Sequence, residues 1–460
     1  MSDTGLRQAQ DKMAAAGVAP TAIDVFTHYY RELEAGATGL IPEDTIDPLL
    51  DPPRLADVDI DDEAAREAFA KTAVIKLNGG LGTSMGMDKA KSLLQVRDGK
   101  SFLDLIVEQV QHARAQTGAR LPLILMNSFR TQDDSLAALA RHDGLAVDSL
   151  PLDFLQNQEP KLLTSDLTPV SWPADPTLEW CPPGHGDLYT ALLASGVLRQ
   201  LLDAGFRYAS VSNSDNLGAA PNPTIAGWFA ASGAPYAAEL CRRTAADRKG
   251  GHLAVRKSDG RLILRDTAQT PPDEMDYFTD EHRHPYFHTN NLWFDLEQIA
   301  AALEERGAVL GLPLIRNVKT VDPTDASSPA VFQIESAMGA AIEVFEGATA
   351  IVVGRERFLP VKTTNDLLLI RSDAYDLADD ATLRLAVEQA PLVDLDTKVY
   401  KTVAKFEERF AAGAPSLRDA RSLTVQGDWT FGEGVVATGA ATVTAEGAPG
   451  TIPAGTTIAG

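Results

Sequence analysis

Apolar positions along the chain fall into three successive patterns. In the first, Ile23, Phe26, Tyr30 and Leu33 recur at three- and four-residue spacing, which places them on one stripe of a helix. The segment IPEDTIDPLLDPPRL that follows holds four prolines and reads as a connector, because proline breaks helices and cannot donate within a sheet. Residues 1–70 are therefore expected to form a helical extension packed on the next domain. In the second pattern, from residue 71 to about 380, short apolar runs alternate with amphipathic stretches. Runs at 73–77, 121–126, 208–212, 236–241 and 350–353 fit buried strands, and 102–116 and 191–204 fit helices. That alternation predicts an α/β domain with a mainly parallel, doubly wound sheet. A hairpin is expected to interrupt it, with 252–257 and 261–265 flanking Ser258-Asp259-Gly260. In the third pattern, beyond about Ser422, helical periodicity is lost. Short β-branched pieces separated by Gly, Pro and Asp predict stacked short strands in a solenoid or small sandwich. A mixed linker over 373–421 joins this tail, so that residues 381–460 comprise linker and tail.

At 460 residues the chain exceeds one ordinary hydrophobic core, which agrees with this three-part reading. The formal net charge of −23 argues against nucleic acid or an anionic membrane as partner, since both need a basic face. It also means that a site for phosphates must work against the global field with local Lys, metal and backbone N–H groups. Two cysteines, Cys181 and Cys241, make no disulfide framework and fit a cytoplasmic setting. No signal peptide and no membrane span are expected, because the first residues lack an apolar core and no run of about 18 apolar residues occurs.

Five motifs carry candidate chemistry. Lys76-Leu77-Asn78-Gly79-Gly80-Leu81-Gly82-Thr83-Ser84-Met85-Gly86 follows a strand candidate and leads to Lys91-Ser92. Its glycines allow backbone N–H groups close to a phosphate chain. It lacks the Gly-Lys-Ser/Thr of a Walker A loop and is one residue too long for the dinucleotide fingerprint; a tight strand-to-helix turn is the plainer reading. Pro182-Pro183-Gly184-His185-Gly186-Asp187 is a rigid loop able to present backbone to a flat base and His185 to a sugar or phosphate, or a helix start with Asp187 as N-cap. Asn213-Ser214-Asp215-Asn216 lies at the carboxyl end of a strand candidate, where α/β folds bind ligands. An Asp there suits Mg²⁺ on a triphosphate, or else forms an Asx turn. Lys362, within Phe358-Leu359-Pro360-Val361-Lys362-Thr363, has apolar and hydroxyl neighbours and reads as a partly buried cation awaiting an anion, or as a surface lysine at a turn. In His288-Thr289-Asn290-Asn291 the amides could read sugar hydroxyls. A zinc site from His282, His284 and His288 lacks a fourth ligand at suitable spacing.

Taken in order, KLNGGLGTSMG with its following KS, FLDLIVEQ, LMNSFRTQDDS, PPGHGD, SNSDNLGA, TNNLW, FQIESAMGAAI, RFLPVKTTNDLLL and LTVQGDWTFG resemble the eukaryotic-type UTP–glucose-1-phosphate uridylyltransferases, from about residue 70 to 455. The resemblance implies a helical N-terminal part, a Rossmann-like nucleotidyltransferase domain and a C-terminal left-handed β-helix. It implies UTP and glucose 1-phosphate as substrates and Mg²⁺ as cofactor. By motif, Leu77, Asn78, Gly79 and Gly80 would contact UTP, and Lys91 its phosphates. Gln156 and the Gly184 backbone would read uracil. Asp215 would hold the metal, with Asn213 and Asn216 beside the nucleotide. His185 and Asn290 would face the sugar phosphate, and Lys362 would neutralise it together with the α-phosphate, which makes Lys91 and Lys362 the catalytic pair. UDP-N-acetylhexosamine or broad UDP-sugar pyrophosphorylases share this chemistry, and a non-catalytic UTP or UDP-sugar sensor would share the binding residues. Ala90 stands where the family usually has Pro, Lys89 adds a cation, and His288 replaces a usual Asn. Oligomeric state is not legible.

Overall fold

The structure is a computed structural model and describes residues 2–244, 247–248, 250–444 and 449–460; the stretch 445–448 of the predicted tail lies outside them. The N-terminal stripe does form a helix, Pro20–Glu34, with Pro20 at its first turn and Phe26, Tyr30 and Leu33 buried. Together with the helix Ser2–Ala15 it packs into a core shared with one face of the central sheet. The proline-rich connector does more than connect. Its Ile46–Pro48 pairs antiparallel with His252–Arg256, which pairs with Leu262–Arg265. The expected hairpin is thus the inner and outer part of a three-stranded sheet whose remaining edge is Ile46–Pro48. Pro48 is tolerated because edge strands leave donors unpaired.

Seven strands build the central sheet: β1 Thr72–Asn78, β2 Leu123–Asn127, β3 Asp153–Leu155, β4 Tyr208–Asn213, β5 Tyr236–Arg242, β6 Tyr286–Asp295 and β7 Thr349–Val352. Their order is β7-β5-β6-β4-β1-β2-β3. Pairs β4–β1, β1–β2, β2–β3 and β5–β7 are parallel, whereas β6 is antiparallel to both β4 and β5. The sheet is therefore mixed, and β6 and the short edge strand β3 are the elements the apolar pattern does not reveal. The polar His288-Thr289-Asn290-Asn291 segment of β6 interrupts an otherwise apolar strand. The same segment carries a register shift against Ala238 and Leu240 and puts Asn290 at φ 61°, a bulge of the kind that re-aims side chains near sites. Parallel neighbours need helical crossovers; Phe102–Thr117, capped by Ser101 and Asp104 in a reciprocal box, is one.

At the C-terminal end, Leu392–Leu395, Ser416–Gln426, Val436–Thr444 and Thr457–Ala459 pair in parallel in that order. Trp429–Phe431 pairs in parallel with Gly450–Ile452. This stack begins about thirty residues before the change of composition at Ser422, because Leu392–Leu395 aligns with Ser422–Val425. Its interior, with Leu423, Val425, Phe431 and Ala437, is continuous with the core under the second face of the central sheet. Among the described residues no helix is long and apolar enough to cross a membrane.

Candidate functional site

The carboxyl ends of β1 and β4 and the segment after β3 open on one edge of the sheet, as parallel pairing requires. Two adjoining clefts lie there. One, of about 290 Å³, is lined by Leu77, Gly79, Gly80, Lys91, Gln156 and Gly184, with His185. The other, of about 410 Å³, is lined by Asn216, His288, Asn290, Phe358 and Lys362 among others. Asn213 and Asp215 line both, so the clefts meet at the carboxyl end of β4. Each is of a size that holds a small ligand. Every residue singled out from the motifs borders one of them except Asn78.

Asn78 is buried at the end of β1. Its Nδ2 donates to Asn127 Oδ1 at 2.7 Å and Ser135 Oγ at 2.8 Å, and its Oδ1 accepts from Ser214 Oγ at 3.0 Å. Its amide is spent on tying β1 to β2 and to the Asp215 loop. Asn216 is equally committed. Nδ2 donates to Asn291 Oδ1 (3.0 Å) and the Arg357 carbonyl (3.2 Å), while Oδ1 accepts from Gly218 N and Leu359 N. Val361 N also donates to the Asp215 carbonyl. The Asp215 loop and the segment Phe358–Lys362 are in this way laced edge to edge.

At the junction, Lys91 Nζ lies 2.6 Å from Asp215 Oδ2, both side chains being less than one-fifth exposed. Lys362 is not partly buried as its neighbours suggested. Asp366 accepts from the backbone N–H of Lys362 and Thr363, capping the helix Thr364–Arg371. That turn leaves the Lys362 side chain exposed at the cleft, with Nζ 5.9 Å from the Phe358 ring centre.

The loop Pro182–Asp187 is held by a segment to which sequence reasoning gave no role. Gly186 N donates to the Ser336 carbonyl and Ser336 N to the Pro183 carbonyl. Gly184 has φ +78°, and a Cβ there would stand 2.6 Å from the Ser336 carbonyl oxygen, so only glycine fits. Met338 N donates to His185 Nδ1 at 2.9 Å. His185 therefore carries its proton on Nε2, and the surrounding protein pushes the imidazole below its ordinary value by desolvation. Across from this loop, a Cβ on Gly79 would meet Gln156 Oε1 at 2.8 Å; glycine there lets the Gln156 amide lie against the loop backbone.

Asp187 does not cap the helix Leu188–Ala194: its backbone is already helical and its side chain makes no cap bond. The histidines do not converge on a metal. His284 Nε2 pairs with Glu43 at 3.0 Å, and His288 Nδ1 accepts from Asn290 N at 3.1 Å. Burial pushes the His288 imidazole down to about 4.

Beneath the second cleft lies a buried ion pair to which the motifs gave no role: Arg357 opens RFLPVKTTNDLLL, and Glu239 lies in none of them. Arg357 donates Nε to Glu239 Oε2 (2.8 Å) and an Nη to Oε1 (2.7 Å). Trp293 Nε1 and Asn291 Nδ2 donate to the same carboxylate. Burial alone would raise the Glu239 carboxyl, but Arg357 and these donors hold it below its ordinary value. Lys76, 1% exposed, donates to Ser212 Oγ and the Ala219 carbonyl; burial first, then Arg357, lower its ammonium to about 7. The available signal for both was a charge inside an apolar strand, Lys76 in AVIKL and Glu239 in YAAELC.

The family model described as UTP–glucose-1-phosphate uridylyltransferase matches residues 23–437. The uridylyltransferase of that name from Solanum tuberosum is 39% identical over 412 residues, spanning 88% of this chain and 84% of the relative. That of Saccharomyces cerevisiae is 38% identical, spanning 81% and 73%. Among solved structures, a point mutant of UDP-glucose pyrophosphorylase from Leishmania major in complex with UDP-glucose superposes with a TM-score of 0.92 at 41% identity, covering 99% of this chain and 98% of that one. A Trypanosoma brucei structure described as UDP-glucose phosphorylase gives 0.90 at 40%, with 99% and 98% covered.

Proposed function

The chain belongs to the UTP–glucose-1-phosphate uridylyltransferase family, and we propose that its two joined clefts convert UTP and glucose 1-phosphate into UDP-glucose and pyrophosphate. One observation carries this reading: the glycine loop with Gln156 and Gly184, and the pocket with Asn290 and Lys362, share Asn213 and Asp215. A nucleotide in the first cleft and a sugar phosphate in the second would meet at that junction.

Glucose 1-phosphate needs no general base, because the second pKa of a phosphate monoester is about 6. A phosphate oxygen attacks the α-phosphorus. The new P–O bond forms as the bond to the bridging β-oxygen breaks, and pyrophosphate leaves with the electron pair. The protein's task is to position two polyanions and to stabilise charge. Gln156 and the Gly184 backbone would read uracil, and the backbone from Leu77 to Gly80 would follow the phosphates. Lys91 would stabilise the leaving group, and Lys362 the incoming phosphate and the α-phosphoryl oxygens. His185 Nε2–H and the Asn290 amide would donate to the sugar phosphate. Asn78 and Asn216 would act by holding the loops rather than by touching the nucleotide.

Among the described residues no three His, Cys, Asp or Glu lie close enough together to hold a metal. A single carboxylate still suits Mg²⁺, which keeps waters and takes other ligands from phosphates. Asp215 would hold it, and the ion would supply positive charge to the leaving pyrophosphate. Parallel stacking in coils of short strands supports a left-handed β-helix for the tail, and β1–β4 support a Rossmann-like core. Two buried free thiols support a cytoplasmic setting.

The test is pyrophosphate release from UTP with glucose 1-phosphate, galactose 1-phosphate or N-acetylglucosamine 1-phosphate. Glucose 1-phosphate is expected to dominate. Equal turnover of all three would make this a broad UDP-sugar pyrophosphorylase, and UTP binding without turnover would make it a sensor.

A further inference from the structure

Asp187 is a buried carboxylate with no part in the chemistry above, and its most obvious structural task, capping a helix, is one it does not perform. Its two oxygens instead take both donors of one residue. Asn157 N donates to Oδ2 at 2.6 Å and Asn157 Nδ2 donates to Oδ1 at 2.8 Å. The residue before Asn157 is Gln156, whose own N–H is fixed to the Asn127 carbonyl at the end of β2. Three residues before Asp187 is Gly184.

The carboxylate thus closes a short bridge between the segment bearing the Gln156 amide and the loop bearing the Gly184 backbone. The remaining side of that loop is already fixed by Ser336 and Met338, and its start by the pairing of Trp180–Cys181 with Glu159–Pro160; the Asp187–Asn157 bonds are the side-chain link beyond that pairing, next to the two base-facing groups. The setting is costly. Asp187 borders a small cavity of about 30 Å³ that Glu159 and Glu335 also line, and none of the residues lining it is a cation. Burial pushes Asp187 up to about 7 despite the two donated bonds, and burial likewise raises Glu159 and Glu335. An apolar residue would fill this place at less expense if packing were the only demand.

We infer that Asp187 is a positioning residue for base recognition: by gripping Asn157 it fixes the Gln156 amide and the Gly184 backbone at the spacing that accepts a uracil edge. The inference rests on the reading of Gln156 and Gly184 as the uracil-facing groups. It predicts that loosening the bridge harms discrimination between bases more than it harms the phosphoryl transfer, because neither bonding partner faces the reacting phosphates.

Asp187→Asn keeps the shape but turns an N–H toward a donor of Asn157; Asn157→Ala removes one donor and leaves the carboxylate in place. Both are assayed for kcat and KM with UTP and with CTP, with circular dichroism melts to check folding. Each should lower the UTP-over-CTP ratio of kcat/KM by about tenfold, mostly through KM for UTP, with kcat and KM for glucose 1-phosphate within about threefold. The Asn157→Ala/Asp187→Asn double variant should lose little more than the worse single one, since both weaken the same bridge. Gln156→Ala, run alongside, separates the two readings. If it collapses the ratio while folded Asp187→Asn and Asn157→Ala keep it, the bridge has no such role. If Gln156→Ala itself leaves the ratio unchanged, the base-reading assignment is wrong and this inference goes with it. Equal loss of kcat with both nucleotides would show a merely structural Asp187.

Discussion

The central sheet, apart from β6, and the C-terminal stack are both held by parallel strand pairing, yet only the sheet carries candidate chemistry. In the sheet, parallel neighbours are joined by long crossovers. Those crossovers leave loops at the carboxyl edge, after β1, β3, β4 and β7, and the clefts form where they meet. In the stack, strand Ser416–Gln426 is followed two residues later by Trp429–Phe431, and that one soon after by Val436–Thr444. Such turns are short, and the open groove of about 800 Å³ that Gly434 and Val435 border takes most of its wall from segments outside them, such as 95–99 and 410–415. The interiors differ in the same sense. Lys76, Glu239 and Arg357 are buried under the clefts, whereas beyond Ser372 no polar or charged residue among the described residues is buried. Parallel pairing supplies rigidity in both regions. Loop length and buried charge are what turn one of them into a site.

The strongest test of this contrast removes a charge from the cleft rim. Lys362→Ala should lower kcat by on the order of 10²–10³, the usual loss for one preorganised charge that acts at the transition state. Because the side chain is exposed and only the backbone N–H holds the turn to Asp366, thermal unfolding should be nearly unchanged. Steady-state kinetics with both substrates, beside a melting curve, decides it; kcat within about twofold of wild type would remove Lys362 from the mechanism. Asp215→Asn should follow, with kcat down by about 10² and a shallower dependence on Mg²⁺, since a hard cation loses its carboxylate. Wild-type Mg²⁺ titration curves in the variant would rule out metal holding by Asp215.

The opposite behaviour is expected in the stack. Val425 is 1% exposed there, and Val425→Ala should cost about 2 kcal/mol of stability through lost burial and a small cavity. The folded protein should keep kcat and both KM values. A change in kinetic constants without a change in urea midpoint would mean that the stack communicates with the clefts.

Much of this division was legible in the sequence, for physical reasons. Apolar runs marked β1, β2, β4, β5 and β7 because strands covered on both faces are nearly all apolar. The glycine loop and Asp215 were legible because tight backbone approach and strand-end acids restrict residue type. β6 was missed because its bulge carries polar residues through the middle of the sheet. The strand Ile46–Pro48 was missed because a proline-rich segment pairs only at an edge. Lys362 was read as partly buried, but burial of a residue after a turn depends on where the turn aims it, here set by Asp366. The bonds from Ser336, Met338 and Asn157 to the loop Pro182–Asp187 join segments that are 30 residues or more apart in the chain, beyond the reach of local pattern.

The last effect concerns Lys76 and is read as a slope rather than a loss. Its side chain is buried in β1 below the clefts, donating to Ser212 Oγ and the Ala219 carbonyl. Desolvation and the neighbouring Arg357 lower its ammonium to about 7, against Glu239, which pulls the other way. In the unfolded chain the same group keeps the ordinary lysine value of about 10.4. Between roughly pH 7 and pH 10, therefore, the unfolded chain holds a proton that the folded one has released. Unfolding takes that proton up, so the contribution to stability is fully present above the unfolded value and is lost as pH falls toward the folded one. Within the window the slope is about 1.4 kcal/mol per pH unit for one full proton. Lys76→Met keeps the length of the side chain and removes the titration. Urea unfolding of both proteins at pH 7, 8 and 9 should then show the stability difference moving toward wild type by about that amount per unit. Among the described residues no such group is buried in the stack, so Val425→Ala should show a difference from wild type that is constant over the same range. If the Lys76→Met difference is also constant with pH, Lys76 stays protonated inside the sheet, and the charge beneath the clefts is permanent rather than released near neutrality.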